Sequence, residues 1–509
     1  MKYKYLLGLI CILFSSCNDF LTEYSQDQAY VTSYNDLDEL LIGNAYMKHY
    51  ITQDYQSSNT QSYYPYIHFM DDELIQNGTG EYSFTRIPEF IFGYYTWQRE
   101  VSKDPNGDSQ WPESQDWNNL YSYIGASNMI LSLIDKQSVA TTNDSINVKR
   151  IKGEAYFLRG SYYFTLVNLY GLPYSTKTAD TDPGVPIKLT ESIEDKYFSR
   201  NTVKDVYDQI IQDLLNSVNY LKDVPHKSWH RADYPSACLM LSRVYLYKQD
   251  YANALKYAQL VIDKKPTLVN LNTFAGKQFL SADNSELLFS TGTSQLPANL
   301  GTYTGGFSVS PDLYHKYNSN DLRTTYFVKD TLGRILDVKQ TPLEQYLYAY
   351  YDISDHFVLR VSEAYLNLAE AAAITGKDEL ALNALNILLQ NRIRTDKFTP
   401  LKEITGAELV QYVRDERCRE LCLEGHRWFD LRRYKVNDLY PYKVTIEHDY
   451  TSWSSQGWSY FANPTRRYTL TSDDPAWVLS IPKSEIIYNE GMIDNQRNAR
   501  SYKIVDLTY

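Results

Sequence analysis

Cysteine is scarce in this chain, five among 509 residues, and no two of them form a C-x-x-C pair. A disulfide framework is thereby excluded, and zinc-ribbon or thioredoxin-like chemistry has no support. Positive charge is not in excess either: 50 Lys and Arg stand against 62 Asp and Glu, a net charge of −12. Binding along a phosphate backbone is therefore disfavoured, and no nucleic-acid partner is expected. There is no H-E-x-x-H, G-x-S-x-G, P-loop or G-x-G-x-x-G sequence, which removes the readily recognised hydrolase and nucleotide-binding classes. Gly/Ser-rich and charge-block linkers are missing as well. The apolar run Tyr5–Phe14 falls well short of the ~20 residues a spanning helix needs.

That run nevertheless has a use. Lys2 and Lys4 precede it, and Ser15 and Ser16 lead from it to Cys17, the order of a signal peptide. Leu13-Phe14-Ser15-Ser16-Cys17 resembles a bacterial lipobox, so residues 1–16 are expected to be a signal peptide, Cys17 the lipid attachment point, and 17–30 a tether. A lipidated Cys17 would anchor the chain without spanning the bilayer. Of the other cysteines, Cys238 opens a helical pattern, and Cys418 and Cys422 are four apart on one expected helix face. All three read as buried, inert thiols.

What the chain has in abundance is tyrosine, 48 residues against 18 Phe and 8 Trp, which supplies apolar ring area with a hydroxyl at its edge. The rest, 31–509, is expected to be one folded unit with an N-terminal half to about 230 and a C-terminal half from about 231. Its periodic segments are helical. From Ile151, the residues Ala155, Leu158, Tyr162, Leu166 and Leu169 recur at three or four until Gly171 and Pro173. Thr202–Leu221 sets Val203, Val206, Ile210, Leu214 and Val218 on one side, with Asn201 or Thr202 as cap. Leu241, Ser242, Tyr245, Ala254, Val261 and Pro266 occupy the positions of a tetratricopeptide-type helical hairpin. A second hairpin runs from Ser362 through Ala373 and from Asp378 to Arg392, turning near Gly376. Between the helices lie long irregular stretches rich in Tyr, Asn, Gly, Ser and Pro: Tyr50–Pro112, Asn272–Asp352 and Tyr440–Pro475. Loops of that length on a rigid scaffold carry function, and pieces such as Glu286–Ser290 are expected to add small strands.

Several segments resemble the SusD/RagB family of outer-membrane lipoproteins. They are Cys17-Asn18-Asp19-Phe20-Leu21; Trp117-Asn118-Asn119-Leu120-Tyr121; and Gly153-Glu154-Ala155-Tyr156-Phe157-Leu158-Arg159-Gly160, continuing to Leu169-Tyr170-Gly171-Leu172-Pro173. In the C-terminal half, Asp415–Leu421, then Glu424-Gly425-His426-Arg427-Trp428-Phe429-Asp430-Leu431-Arg432-Arg433, and finally Ile481-Pro482-Lys483-Ser484-Glu485-Ile486 are similar to the family's signature and closing motif. Asn495-Gln496-Arg497-Asn498 departs from the family's usual Asn-Pro. The resemblance implies a mainly α, SusD-like fold with about four tetratricopeptide-type pairs, long irregular insertions and minor β structure. It also implies a lipid-anchored, surface-exposed outer-membrane protein, not an enzyme. Such a protein captures oligosaccharides and delivers them to a SusC-like TonB-dependent transporter as its lid. Peptide capture, as in the RagB branch, or a pure lid or scaffold role is the alternative.

Sugar rings offer an apolar C–H face to an aromatic ring, and rim hydroxyls to polar side chains. Aromatics in polar loops supply both. The expected ligand residues are Trp97 first, then Tyr94, Tyr95, Trp111, Tyr63, Asp71 and Tyr303, the last flanked by glycines that permit close approach. Trp453 and Trp458 would touch ligand or transporter. No catalytic residue, cofactor or metal is expected: His226 and His230 are too few ligands. The sets Asp71-Asp72-Glu73 and Asp104-Pro105-Asn106-Gly107-Asp108 are weak calcium-like loops that read as solvated acidic turns. The crowded charges of Arg414–Arg433 read as an ion-pair network, with Asp415 meeting Arg419 and Arg417 and Arg427 in reach of Glu416, Glu420 and Glu424. Within it, Trp428 and Phe429 should pack inward and His426 should serve packing.

Overall fold

The computed structural model describes residues 31–47, 65–77, 87–109, 115–276, 278–292, 296, 300, 306–331, 333–339, 353–456 and 459–506. Its scaffold is a series of antiparallel helices. In chain order these are α1 (Tyr34–Leu40), α2 (Ile87–Tyr95), α3 (Gln115–Leu133), α4 (Thr142–Tyr170), α5 (Val203–Leu221), α6 (Tyr234–Tyr247), α7 (Tyr251–Lys264), α8 (Val361–Ile374), α9 (Asp378–Gln390), α10 (Gly406–Glu420) and α11 (Arg427–Lys435). Consecutive members from α3 to α9 pack against each other, and α8 also meets α10.

Local chemistry sets the ends of these helices. The Asp144 amide donates to the Thr141 hydroxyl at 3.1 Å while the Thr141 amide donates back to Asp144 at 2.9 Å, a capping box that starts α4. At its other end Gly171 donates to Val167 at 2.8 Å. Thr202 caps α5 in the same way, which resolves the choice between it and Asn201. Asn201 instead accepts from the Ile187 amide at 2.9 Å. The glycines of the Gly153–Gly160 motif sit where α4 meets α5. A Cβ there would stand 2.6 Å from Leu221 Cγ and 3.1 Å from Leu214 Cγ, so the missing side chains let the two helices close.

The expected hairpins form as α6/α7 and α8/α9. Ser242 does more than leave room: its hydroxyl donates to the Ala254 carbonyl on the facing helix at 2.9 Å. Gly376 turns α8 into α9 with φ +71°, a conformation that only glycine adopts without strain. All residues of α8 are buried, which makes it the axle of the C-terminal half.

Strands are short and local. β1 (Leu74–Gln76) pairs antiparallel with β3 (Phe307–Val309), and β2 (Leu287–Ser290) with β6 (Val358–Arg360). β4 (Val328–Thr331) and β5 (Arg334–Asp337) form a hairpin, as do β8 (Trp453–Gln456) and β9 (Ser459–Ala462). β10 (Thr465–Leu470) lies between β7 (Ile446–Tyr450) and β11 (Lys503–Val505).

The Arg414–Arg433 segment is an ion-pair network, but most of its partners are distant; among the described residues only its Arg419–Glu416 and Arg433–Asp430 pairs lie about one helical turn apart. Glu420 meets Arg323 at 3.0 Å, Arg360 at 2.6 Å and Arg392 at 2.9 Å. Glu424 meets Arg360 at 2.9 Å, and Glu286 meets Arg392 at 2.7 Å. Arg417 pairs with Asp430 at 2.8 Å and Arg427 with Asp72 at 2.6 Å. Asp415 meets Lys316 at 3.6 Å rather than Arg419, which turns to Glu416. Burial explains the change of partner, since a charge taken from water needs neighbours on every side and one helix face cannot supply them.

Trp428 is buried and stacks on Trp477 at 4.6 Å. The three thiols are free and buried. Cys418 and Cys422 do not share a helix face, because α10 ends at Glu420. Burial pushes Cys238 and Cys422 up to about 12, so at neutral pH both remain unreactive thiols.

Candidate ligand-binding face

The antiparallel pairing of β1 with β3 brings two of the irregular stretches to one place. Gln76 opposes Phe307, and the next amide, Asn77, donates to the Gly306 carbonyl at 2.8 Å. A Cβ on Gly306 would stand 2.3 Å from Pro88 Cγ, so that glycine lets the strand end lie on the start of α2. The third stretch is tied to the same point. Gln76 donates from Nε2 to the Thr451 carbonyl at 2.9 Å, and the Thr451 amide donates to Gln76 Oε1 at 2.7 Å.

Beneath this junction lies a stack of rings. His448, from β7, packs between Tyr95 at 4.1 Å and Trp97 at 4.4 Å. Its Nδ1 faces the Tyr95 carbonyl at 2.6 Å and its Nε2 the Asp71 carbonyl at 2.8 Å. Burial pulls the imidazole down to about 4, while the two carbonyls oppose that shift by favouring a proton on each nitrogen. The Trp97 indole donates to the Met70 carbonyl at 2.8 Å. Trp97 also closes α2 with φ +52°, a place glycine usually takes, and the packing of its ring offsets the strain. The Tyr95 hydroxyl accepts from the Gln76 amide at 2.9 Å.

This geometry corrects four of the expected ligand residues. Trp97 and Tyr95 are 0% exposed, Tyr94 is 4% and Asp71 is 1%, so none of the four presents a face to a ligand. Tyr94 stacks on Tyr66 at 3.7 Å with the planes 3° apart. These side chains brace the floor from which the irregular stretches depart. Tyr63, Trp111 and Tyr303 fall outside the described residues, as do Cys17 and Trp458. Phe461, on β9, is 51% exposed and presents an aromatic ring that no motif along the chain singles out.

The acidic loops are also corrected. Asp71-Asp72-Glu73 is not a solvated turn. Asp72 pairs with Arg427, and the Leu423 amide donates to Glu73 at 2.9 Å. Burial raises Glu73 to about 8 and raises Asp71 as well, where Glu73 and Asp72 add to the effect. Asp104 turns inward and accepts from the amides of Asn106 and Asp108 at 2.9 and 3.0 Å; it holds its own loop. His226 meets Asp233 at 2.9 Å, a pair rather than a ligand set.

Several clefts lie among the described residues, and two of them are lined by more than one ring. One of about 300 Å³ combines the rings of Trp117, Tyr121 and Phe198 with Lys188, Glu485 and Asn489. The other, about 70 Å³, is enclosed by α4, α6, β6 and the Gly425–Phe429 bend, and His426 lines it. No helix among the described residues is long and apolar enough to cross a membrane.

Two family models match the chain: one described as "Starch-binding associating with outer membrane" over residues 19–246, and one described as "SusD family" over residues 345–498. A SusD-like protein P2 of Formosa agariphila is 26% identical over 403 residues, 67% of this chain and 75% of the relative. Among solved structures, a putative sugar binding protein from Bacteroides vulgatus superposes with a TM-score of 0.68 at 24% identity, covering 92% of this chain and 99% of that one. A SusD superfamily protein from Bacteroides thetaiotaomicron gives 0.67 at 21% identity, covering 91% and 100%. Surface glycan-binding protein A from Bacteroides fluxus gives 0.60 at 16% identity, covering 92% and 98%. Mainly helical with minor β structure, the chain belongs to the SusD/RagB family.

Proposed function

We propose that the protein is a surface-exposed glycan-binding lipoprotein of the outer membrane. In this reading it captures oligosaccharides and delivers them to a SusC-like TonB-dependent transporter as its lid, anchored through lipid on Cys17. One observation carries the reading: three irregular, tyrosine-rich stretches are tied together at Gln76, over a floor of packed rings. A rigid floor lets loops hold a preformed shape, which lowers the ordering cost of binding. The description of the family model matching residues 19–246 supports starch-like ligands and association with the outer membrane. Tyr63, Trp111 and Tyr303 remain the proposed ligand contacts, because the buried rings cannot serve.

Affinity gels charged with plant, microbial and host polysaccharides test this, using the soluble chain that starts after Cys17. Retardation by one glycan, lost in Trp111→Ala or Tyr303→Ala with unchanged circular dichroism, is the expected result. Retardation by none, with binding to a peptide library instead, would move the ligand class to peptides. Co-purification of a TonB-dependent transporter with the lipidated chain tests the lid.

A further inference from the structure

We propose that His68, His356 and Asp355 form a buried structural site for a transition-metal ion, with Zn²⁺ as the expected occupant. The three residues come from the turn at Pro65–Phe69 and from the chain just ahead of β6. Each offers one ligand atom, and these atoms lie within 4.8 Å of one another. His68 and Asp355 are each 1% exposed, and the His356 side chain is 3% exposed.

His68 supplies the independent observation. Neither of its ring nitrogens has a hydrogen-bond partner. A neutral imidazole carries one N–H donor and one lone pair, and leaving such groups buried and unmatched is unfavourable. A metal ion would take the lone pair that no protein donor reaches.

His356 Nδ1 contacts Asp355 Oδ1. An ion bound by both residues would sit between these two atoms and replace that contact. The Leu296 amide donates to the other Asp355 oxygen at 2.7 Å, which fixes the carboxylate in turn. Gly425, at φ +72°, leaves the room: a Cβ there would stand 2.7 Å from His356 Cβ. His356 also borders the 70 Å³ cleft, from which water could supply a fourth ligand.

Two imidazoles and one carboxylate suit Zn²⁺ and its neighbours, whereas Ca²⁺ needs about six to eight oxygens. Tetrahedral Zn–N bonds of about 2.0–2.1 Å set ligand atoms roughly 3.3 Å apart, so ligand atoms now within 4.8 Å of one another must draw together on binding. The bound ion would clamp the 65–69 turn to the strand that precedes α8. It is a structural element separate from glycan capture.

The test uses the untagged mature protein. Elemental analysis as purified, then chelator stripping and titration with Zn²⁺ and Co²⁺, should show one equivalent bound, with Co²⁺ giving visible d–d absorption and Zn²⁺ raising the thermal midpoint. X-ray absorption should report a nitrogen/oxygen shell containing two imidazoles. His68→Asn, His356→Asn or Asp355→Ala should abolish the stoichiometric binding. Failure of the wild-type protein to bind either ion, a shell without imidazole, or unchanged stoichiometry in a folded histidine variant would overturn the site. If the variants do not fold, the wild-type titration and absorption spectrum still decide.

Discussion

Gln76 and Thr451, 375 residues apart, exchange two hydrogen bonds: one from the Gln76 side-chain amide and one to its carbonyl oxygen. One glutamine thus joins β1 to the chain that follows β7. Both its polar groups are buried, so removing them leaves a buried amide and a buried carbonyl unmatched at Thr451.

Gln76→Ala should therefore lower stability by about 1–3 kcal/mol. It should also raise hydrogen exchange in residues 446–470 ahead of the helical core. Uniform exchange across both regions would show that the tie is not local.

Trp97→Ala should cost about 3–5 kcal/mol in urea unfolding, the range for truncating a buried aromatic. Trp97→Phe should cost less. The Trp97 contribution to fluorescence should resist iodide quenching and should not change with ligand. Strong quenching would show that the ring is reachable after all.

Glu420 meets three guanidinium groups. Glu420→Gln should cost about 3–5 kcal/mol, because it leaves buried positive charge uncompensated. Lys204→Ala at the exposed Asp208 pair should change stability by less than about 1 kcal/mol. Equal losses would contradict the role assigned to burial.

Burial raises Glu73 from 4.5 to about 8. Between those values the folded protein keeps a proton that the unfolded chain releases. Stability from this group is full below about 4.5 and is lost as pH rises through about 8. Glu73→Gln should flatten the fall in thermal midpoint between pH 5 and pH 8. An unchanged slope would place the titration elsewhere. Acidification works the other way for His448: lowered to about 4, it contributes stability that is lost as pH falls below about 6.5.

The buried thiols Cys238, Cys418 and Cys422 should be inert to a thiol reagent in the native protein and react fully in denaturant. Fast native reaction of any one would disprove its burial.

Much of the scaffold was legible along the chain. The spacing from Ile151 onward marks α4, Thr202 marks the start of α5, and the small residues Ser242 and Ala254 mark a hairpin, because helix periodicity and capping act over four residues or fewer. The ligand residues were less legible. Tyr94, Tyr95 and Trp97 stand in a polar, aromatic stretch that reads equally as platform or as packing. Only the arrival of His448 and Met70 from other parts of the chain assigns Tyr95 and Trp97 to packing, as Tyr66 does for Tyr94.

By itself the sequence determined the helical scaffold, the absence of disulfide and nucleotide-binding frameworks, and the motifs that carry the family. These rest on local spacing and composition. The tertiary structure alone decided which charges pair, which aromatics are buried, and that His68 meets His356 and Asp355. Burial and long-range contact depend on every segment that packs nearby, and no local pattern records where a distant partner will arrive.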